Sequence, residues 1–243
     1  MSEQQKLFEM FHAGVTPFMC VEECMKRLSE SGFETLDYEA AWNLVPGGKY
    51  MVNHHGTTLF AFTVGKAWKA MDMLRMAAAH TDYPCLRIKP NADFVTNGYA
   101  QVNVEVYGGP ILNTWLDRPL GVAGRVALRS DNPFKPNMVL YRSEKPIMTI
   151  PNLAIHMNRE VNSGVELNKQ VDMMPVLDML SDEQKDTKYF MSLLAKELDV
   201  EEKDILDFEL SVFLMEEPMY IGIEGTLISS PRLDNLTSCS ALV

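Results

Sequence analysis

Between Leu86 and Ile150 five short segments follow one another: Leu86–Lys89, Gln101–Tyr107, Val122–Leu128, Val139–Arg142 and Ile147–Ile150. Gly108-Gly109-Pro110, Asp131-Asn132-Pro133 and Lys135-Pro136 punctuate them. Runs of this length, rich in Val, Ile, Leu and Tyr and bounded by glycine and proline, read as strands joined by turns. Strands at this density predict a β-barrel or sandwich module, which constrains the rest of the chain because the flanks read differently.

On the N-terminal side, Met19, Val21, Cys24, Met25 and Leu28 fall at helical spacing between Thr16 and Ser31, and Gly32 supplies a stop. Phe33–Leu36 and Lys49–Asn53 read as short strands around the turn Val45-Pro46-Gly47-Gly48, and Leu59–Val64 as a further strand. Leu74–Ala79 favours helix by propensity, yet it is short and opens into Thr81-Asp82-Tyr83-Pro84, so the residues alone leave helix and strand both open. On the C-terminal side, Asp186–Leu198 reads as helix, Ile205–Leu214 as a core strand, and a helix starts near Asp234 with Leu236, Cys239 and Val243 on one face. The order α/β, β, α/β is that of one module inserted into another. The expected divisions are residues 1–88, then a β-rich insertion over 89–204, then a return segment over 205–243.

Composition narrows the partners. The formal net charge of −11 argues against binding nucleic acid or an anionic membrane through bulk electrostatics. No apolar run approaches a membrane span, and the N-terminus lacks a basic segment followed by an apolar core, so a cytoplasmic protein is expected. The four cysteines, Cys20, Cys24, Cys85 and Cys239, are too few and scattered for a disulfide framework, and the i, i+4 pair Cys20/Cys24 reads as core packing before it reads as a metal clip. The 17 methionines, among them Met71, Met73, Met76, Met173 and Met174, read as adaptable core and interface filler.

Two places can carry chemistry. His80-Thr81-Asp82 sets an imidazole and a carboxylate two residues apart, the one a metal ligand and the other the acceptor that fixes its tautomer; the plain alternative is a loop histidine beside a turn-forming Asp. Asp234, at a strand-to-helix junction, is either a helix N-cap or a carboxylate able to bridge two metal ions. Asn53-His54-His55-Gly56 reads as a turn, and Glu216-Glu217 as a solvated loop.

These residues belong to longer motifs. Ala79–Pro84 with Leu86–Pro90, Tyr107–Ile111 with Thr114–Arg118, Ala123–Val126, Ile150–Arg159 and Pro231–Leu236 follow one another in an order that resembles the aspartyl aminopeptidase family of dizinc metalloaminopeptidases, from about Thr16 to the last residue. The resemblance implies an α/β proteolytic domain interrupted by a β-rich domain, assembled as a homo-oligomer, with two zinc ions per site and N-terminal acidic residues of peptides as substrate. It turns Leu74–Ala79 into a strand leading to the site. It makes His80 a ligand oriented by Asp82, makes Asp234 the bridging carboxylate, and sends His156 from the inserted domain into a neighbouring subunit's site. Read without it, His156 is an ordinary structural histidine, and Asp117 and Arg118 serve the inserted domain's structure or a subunit contact.

The resemblance also implies that the catalytic glutamate and the remaining ligands lie in a C-terminal half this chain does not contain. Its end inside an apolar helical pattern gives the same expectation, of a portion inactive by itself. Gly225–Ser230 and Glu216–Tyr220 depart from the family pattern where substrate preference is set. The alternative is a short non-catalytic paralogue acting in oligomer assembly or regulation.

Overall fold

The computed structural model describes residues 2–69, 72–181 and 188–243, which form two compact units: residues 1–83 with 217–243, and residues 84–216. Met71 and the first residues of the predicted helix Asp186–Leu198 lie outside the described residues.

The first unit opens with α1 (Glu3–Ala13), which the sequence reading did not include. Its start is a capping box: Gln5 N donates to Ser2 Oγ (3.2 Å) and Ser2 N donates to Gln5 Oε1 (2.8 Å). α2 (Pro17–Glu30) runs as the apolar spacing predicts. Thr16 Oγ1 accepts from Met19 N (3.3 Å), Pro17 occupies a position where its missing N–H costs nothing, and Gly32 follows the helix at φ +82°. β1 (Glu34–Thr35), β2 (Lys49–His54) and β3 (Thr58–Thr63) form a sheet in that order, with β1 parallel and β3 antiparallel to β2. Residues 73–79, expected as a strand, join no sheet among the described residues. A strand exists only against a neighbour, and this segment has none to pair with there.

The return segment of this unit holds a small hairpin, Met219–Ile221 against Leu227–Ser229, and then α4 (Leu233–Leu242). α1, α2 and α4 share one core, in which Met10, Phe11, Cys20, Cys24, Leu236 and Cys239 are all buried. The expected packing role of Cys20 and Cys24 agrees with this, and all four cysteines are free thiols. Arg27 adds a polar tie across the same helices: Nε pairs with Glu23 on α2 (2.7 Å), Nη2 donates to Lys6 O on α1 (2.7 Å) and Nη1 to Ser240 Oγ on α4 (3.5 Å).

The second unit is built on a six-stranded antiparallel sheet. Its strands are β4 (Cys85–Thr96), β5 (Tyr99–Tyr107), β6 (Leu120–Leu128), β7 (Asn137–Arg142), β8 (Val176–Met179) and β9 (Ile205–Leu214), in the spatial order β7-β6-β9-β4-β5-β8. Ile205–Leu214 is a strand as predicted, but it lies between β6 and β4 in this sheet and not in the return segment. The units accordingly divide at 83/84 and 216/217 where 88/89 and 204/205 were expected. Ile147–Ile150 forms only isolated bridges, through Met148, Thr149 and Ile150.

β6 is buried along Leu120–Gly124, and small residues let β9 come close. A side chain at Gly124 would stand 2.1 Å from Glu209 O and 2.9 Å from Leu210 Cα. α3 (Tyr189–Glu197) docks on β4. Asp93, just past a β4 irregularity, does what a helix cap would do: Oδ1 accepts from Phe190 N (2.7 Å) and Oδ2 from Met191 N (3.4 Å). Burial pushes the Asp93 carboxyl up from its ordinary value, with those two N–H groups opposing. Among the described residues, no helix is long and apolar enough to cross a membrane.

Two outcomes follow. Gly124→Ala forces β6 away from β9 and lowers stability in urea unfolding by at least about 3 kcal/mol. Asp93→Ala leaves two helix N–H groups without their acceptor and costs about 1 kcal/mol, while Asp93→Asn keeps the acceptor. Because the folded Asp93 pKa is the raised one, its contribution is present at low pH and lost as pH rises through the folded value. The stability gap between wild type and Asp93→Asn therefore shifts toward wild type on acidification, as paired unfolding curves at pH 7 and pH 5 will read.

Candidate metal centre

The chain approaches the first candidate from the exposed segment 73–79 and reaches His80 at the edge of the shared helical core, against which Ala79 packs. Thr81 Oγ1 donates to Thr57 O (3.0 Å), which ties the turn to the β2–β3 hairpin. Tyr83 buries its ring and donates its hydroxyl to Val15 O. His80 is thereby held between two anchored neighbours while its own ring stays half exposed.

The second candidate approaches from the other end of the chain. Arg232 takes a left-handed conformation (φ +67°), donates from Nη2 to Phe11 O (3.0 Å), and sets its guanidinium 5.8 Å from the centre of the Tyr83 ring. The first turn of α4 is irregular: Asp234 and Asn235 have non-helical backbone angles and the peptide between them is cis. Leu236 and Cys239 then bury their side chains in the core, and the Cys239 thiol donates to the His80 carbonyl oxygen (3.2 Å). The α4 start and the His80 turn are thus joined at three points, through Arg232, Tyr83 and Cys239.

The result brings the two predicted residues together. His80 Nε2 lies 3.1 Å from Asp234 Oδ1, and on the other side of the ring Nδ1 lies 2.9 Å from Asp82 O and 3.4 Å from Asp82 Oδ1. The Asp82 carbonyl, which accepts from Nδ1, raises the His80 pKa above its ordinary value, and the Asp82 and Asp234 charges add to this against some desolvation. Asp234 does not act as the N-cap that the sequence also allowed: no side chain caps α4.

An imidazole with Nδ1 held by an acceptor and Nε2 facing a carboxylate is the donor chemistry that zinc takes. The two groups supply two donors of such a site; among the described residues, no group of three or more His, Cys, Asp or Glu is placed to hold an ion.

The other residues singled out fall elsewhere. His156 lies exposed in the second unit, in the irregular stretch after Ile150. Asp117, at φ +59°, donates its N–H to Ile150 O (2.8 Å) and accepts from Asn152 N (2.9 Å), and Arg118 pairs with Glu216, so both hold loops of that unit in place. Glu217 pairs with His12 (2.9 Å), beside a cleft of about 440 Å³ in the first unit lined also by Phe8, Glu9 and Lys26. The rings of His54 and His55 meet edge to face, 4.1 Å between centres, beyond the hairpin turn that Asn53 Oδ1 closes on Gly56 N (2.8 Å). The sequence reading missed Tyr83, Arg232 and Cys239 as positioning groups, although each lies within five residues of His80 or Asp234 and the first two lie inside the quoted motifs.

Comparison with known proteins gives a consistent family. The profile described as aminopeptidase I zinc metalloprotease (M18) matches residues 10–243. A probable M18 family aminopeptidase 2 of Clostridium novyi is 44% identical over 237 residues, covering 97% of this chain and 55% of the relative. Its namesake in Clostridium acetobutylicum is 41% identical over 233 residues, covering 96% of this chain and 54% of that protein. Among solved structures, a chain in the Ape4 and Nbr1 complex superposes with a TM-score of 0.90 at 30% identity, covering 99% of this chain and 50% of that one. Chaetomium thermophilum mApe1 gives 0.84 at 29% identity, covering 96% and 55%. The chain therefore spans about half the length of the relatives it matches, and it belongs to the M18 family of aminopeptidase I zinc metalloproteases.

Proposed function

We propose that this chain carries one side of a dizinc aminopeptidase centre that removes N-terminal acidic residues from peptides. The observation that carries the reading is the convergence of His80 Nε2 and Asp234 Oδ1 to 3.1 Å from opposite ends of the first unit, with Nδ1 occupied by Asp82. In this reading His80 is a ligand to one zinc ion, and the two oxygens of Asp234 serve both ions. Zinc held there supplies a Lewis acid for the scissile carbonyl and lowers the pKa of bound water.

The chain's own residues do the positioning. Asp82 holds the His80 tautomer that leaves Nε2 available, and Arg232, Tyr83 and Cys239 fix the spacing between the His80 turn and the start of α4. Two donors are too few for a catalytic zinc, which takes three protein ligands and keeps one open position. The centre therefore needs further ligands, which the relatives' additional length is able to supply. Exposed His156 is the group offered to a neighbouring subunit's site in a homo-oligomer. The solved S. cerevisiae mApe1 dodecamer, 25% identical to this chain, supports an oligomer. The cytoplasm is the compartment that suits four free thiols.

The test joins this chain to the part of the Clostridium novyi relative beyond its matched region. With zinc supplied, the chimera releases Asp and Glu from peptide N-termini faster than Leu or Met; equal rates for all four would overturn the acidic preference, and no release at all the activity. His80→Ala and Asp234→Asn abolish turnover and lower zinc content, whereas His156→Ala lowers turnover with zinc content kept. Asp82→Asn weakens zinc binding by roughly tenfold, read by equilibrium dialysis. Protons compete with zinc for His80, and the raised His80 pKa sets where they win. Zinc affinity thus falls as pH drops through that value, and the fall is absent from His80→Ala.

A further inference from the structure

Residues 73–79 combine three properties that a finished surface seldom shows together. Their side chains are bare, with Met73 at 96%, Met76 at 92% and Leu74 at 74% exposure. Their backbone joins no sheet among the described residues, although both ends are anchored, at Asp72 N to Lys69 O (2.9 Å) and through Thr81 to Thr57. Alongside, β3 is the terminal strand of its sheet and turns Phe60 outward at 61% exposure. A monomer seldom leaves contiguous apolar residues and free strand edges in water, because such edges recruit another chain.

The same segment leads directly into His80, and the pair it forms with Asp234 lacks further ligands among the described residues. The relatives that match this chain over nearly its whole length are about twice as long. A piece of protein that brought both a strand for the bare backbone and carboxylate or imidazole donors for the half-built centre would satisfy both deficits at once.

We propose that β3 and residues 73–79 form a docking edge for the part of the M18 fold that lies beyond the matched region of the relatives, taken up by β-strand addition and able to bind when supplied as a separate polypeptide. The proposal rests on the family reading above. The occupant is set by chemistry: an apolar strand for Leu74 and Met76, in register with ligands that reach His80 and Asp234. A second copy of this chain brings the strand but only the same two donors, and leaves the centre incomplete.

The experiment co-produces the intact 243-residue chain with the separate remainder of the Clostridium novyi relative. Light scattering is expected to give a one-to-one complex, and hydrogen exchange to slow by at least roughly tenfold at the amides of residues 73–79 and of β3. The double variant Leu74→Lys with Met76→Lys, whose side chains lie in solvent, keeps the urea midpoint of the free chain and loses the complex. Absence of a complex overturns the proposal. So does a complex that leaves these amides unprotected, or a dimer of this chain alone that protects them equally. A protected complex without aminopeptidase turnover upholds the docking edge and counts against the proposed activity, which separates the two failures.

Discussion

A small apolar cluster at the meeting of α1, α2 and α4 holds the two ends of the chain together, and the candidate centre depends on it. Met10, Phe11, Cys20, Cys24, Leu236 and Cys239 leave water as one group, and the burial of Leu236 and Cys239 alone fixes the roll of α4 about its axis. That roll decides where Asp234 points. The polar contacts follow from it: Arg232 reaches the Phe11 carbonyl and the Tyr83 ring only because α4 begins there, and the Cys239 thiol meets the His80 carbonyl for the same reason. The His80–Asp234 pair is exposed and contributes little to stability, so the fold positions the pair rather than the reverse.

The second unit solves a different problem. Its sheet brings the last strand in the sequence, β9, into the middle, between β6 and β4. The small residues of β6 admit the β9 backbone, and the Asp93 carboxylate accepts the buried cost of capping α3. Tyr141 makes a similar long-range tie, its hydroxyl 2.5 Å from Glu197 with burial raising its pKa. Interactions between residues distant in sequence therefore hold the strands in an order that runs against the order of the chain.

Local physics made several elements readable. α2 carried its cap, its proline and its glycine stop in plain view, and most of the strands between Cys85 and Arg142 were announced by β-branched runs and Gly/Pro turns. α1 was equally marked, by Ser2 and Gln5, and was overlooked. What the residues could not tell was partnership. Ile205–Leu214 reads as a strand in any sheet, and only its neighbours assign it to the second unit. Leu74–Ala79 is neither helix nor paired strand because its state depends on something outside the segment. His80 and Asp234 each had an ordinary alternative, and the motifs around them, not spacing, joined them; Arg232, Tyr83 and Cys239 act through contacts across the whole chain, which no local pattern encodes.

The interruption of the first unit by the second has a temporal side. On a ribosome, His80 emerges well before Asp234, and at ordinary rates of synthesis the interval is on the order of ten seconds. During that time residues 84–216 have their entire sheet available and can close, while α1 and α2 await the helix that completes their core. The nascent chain thus holds its apolar helical faces and residues 73–79 open together, which makes that interval the period when a chaperone has most to shield.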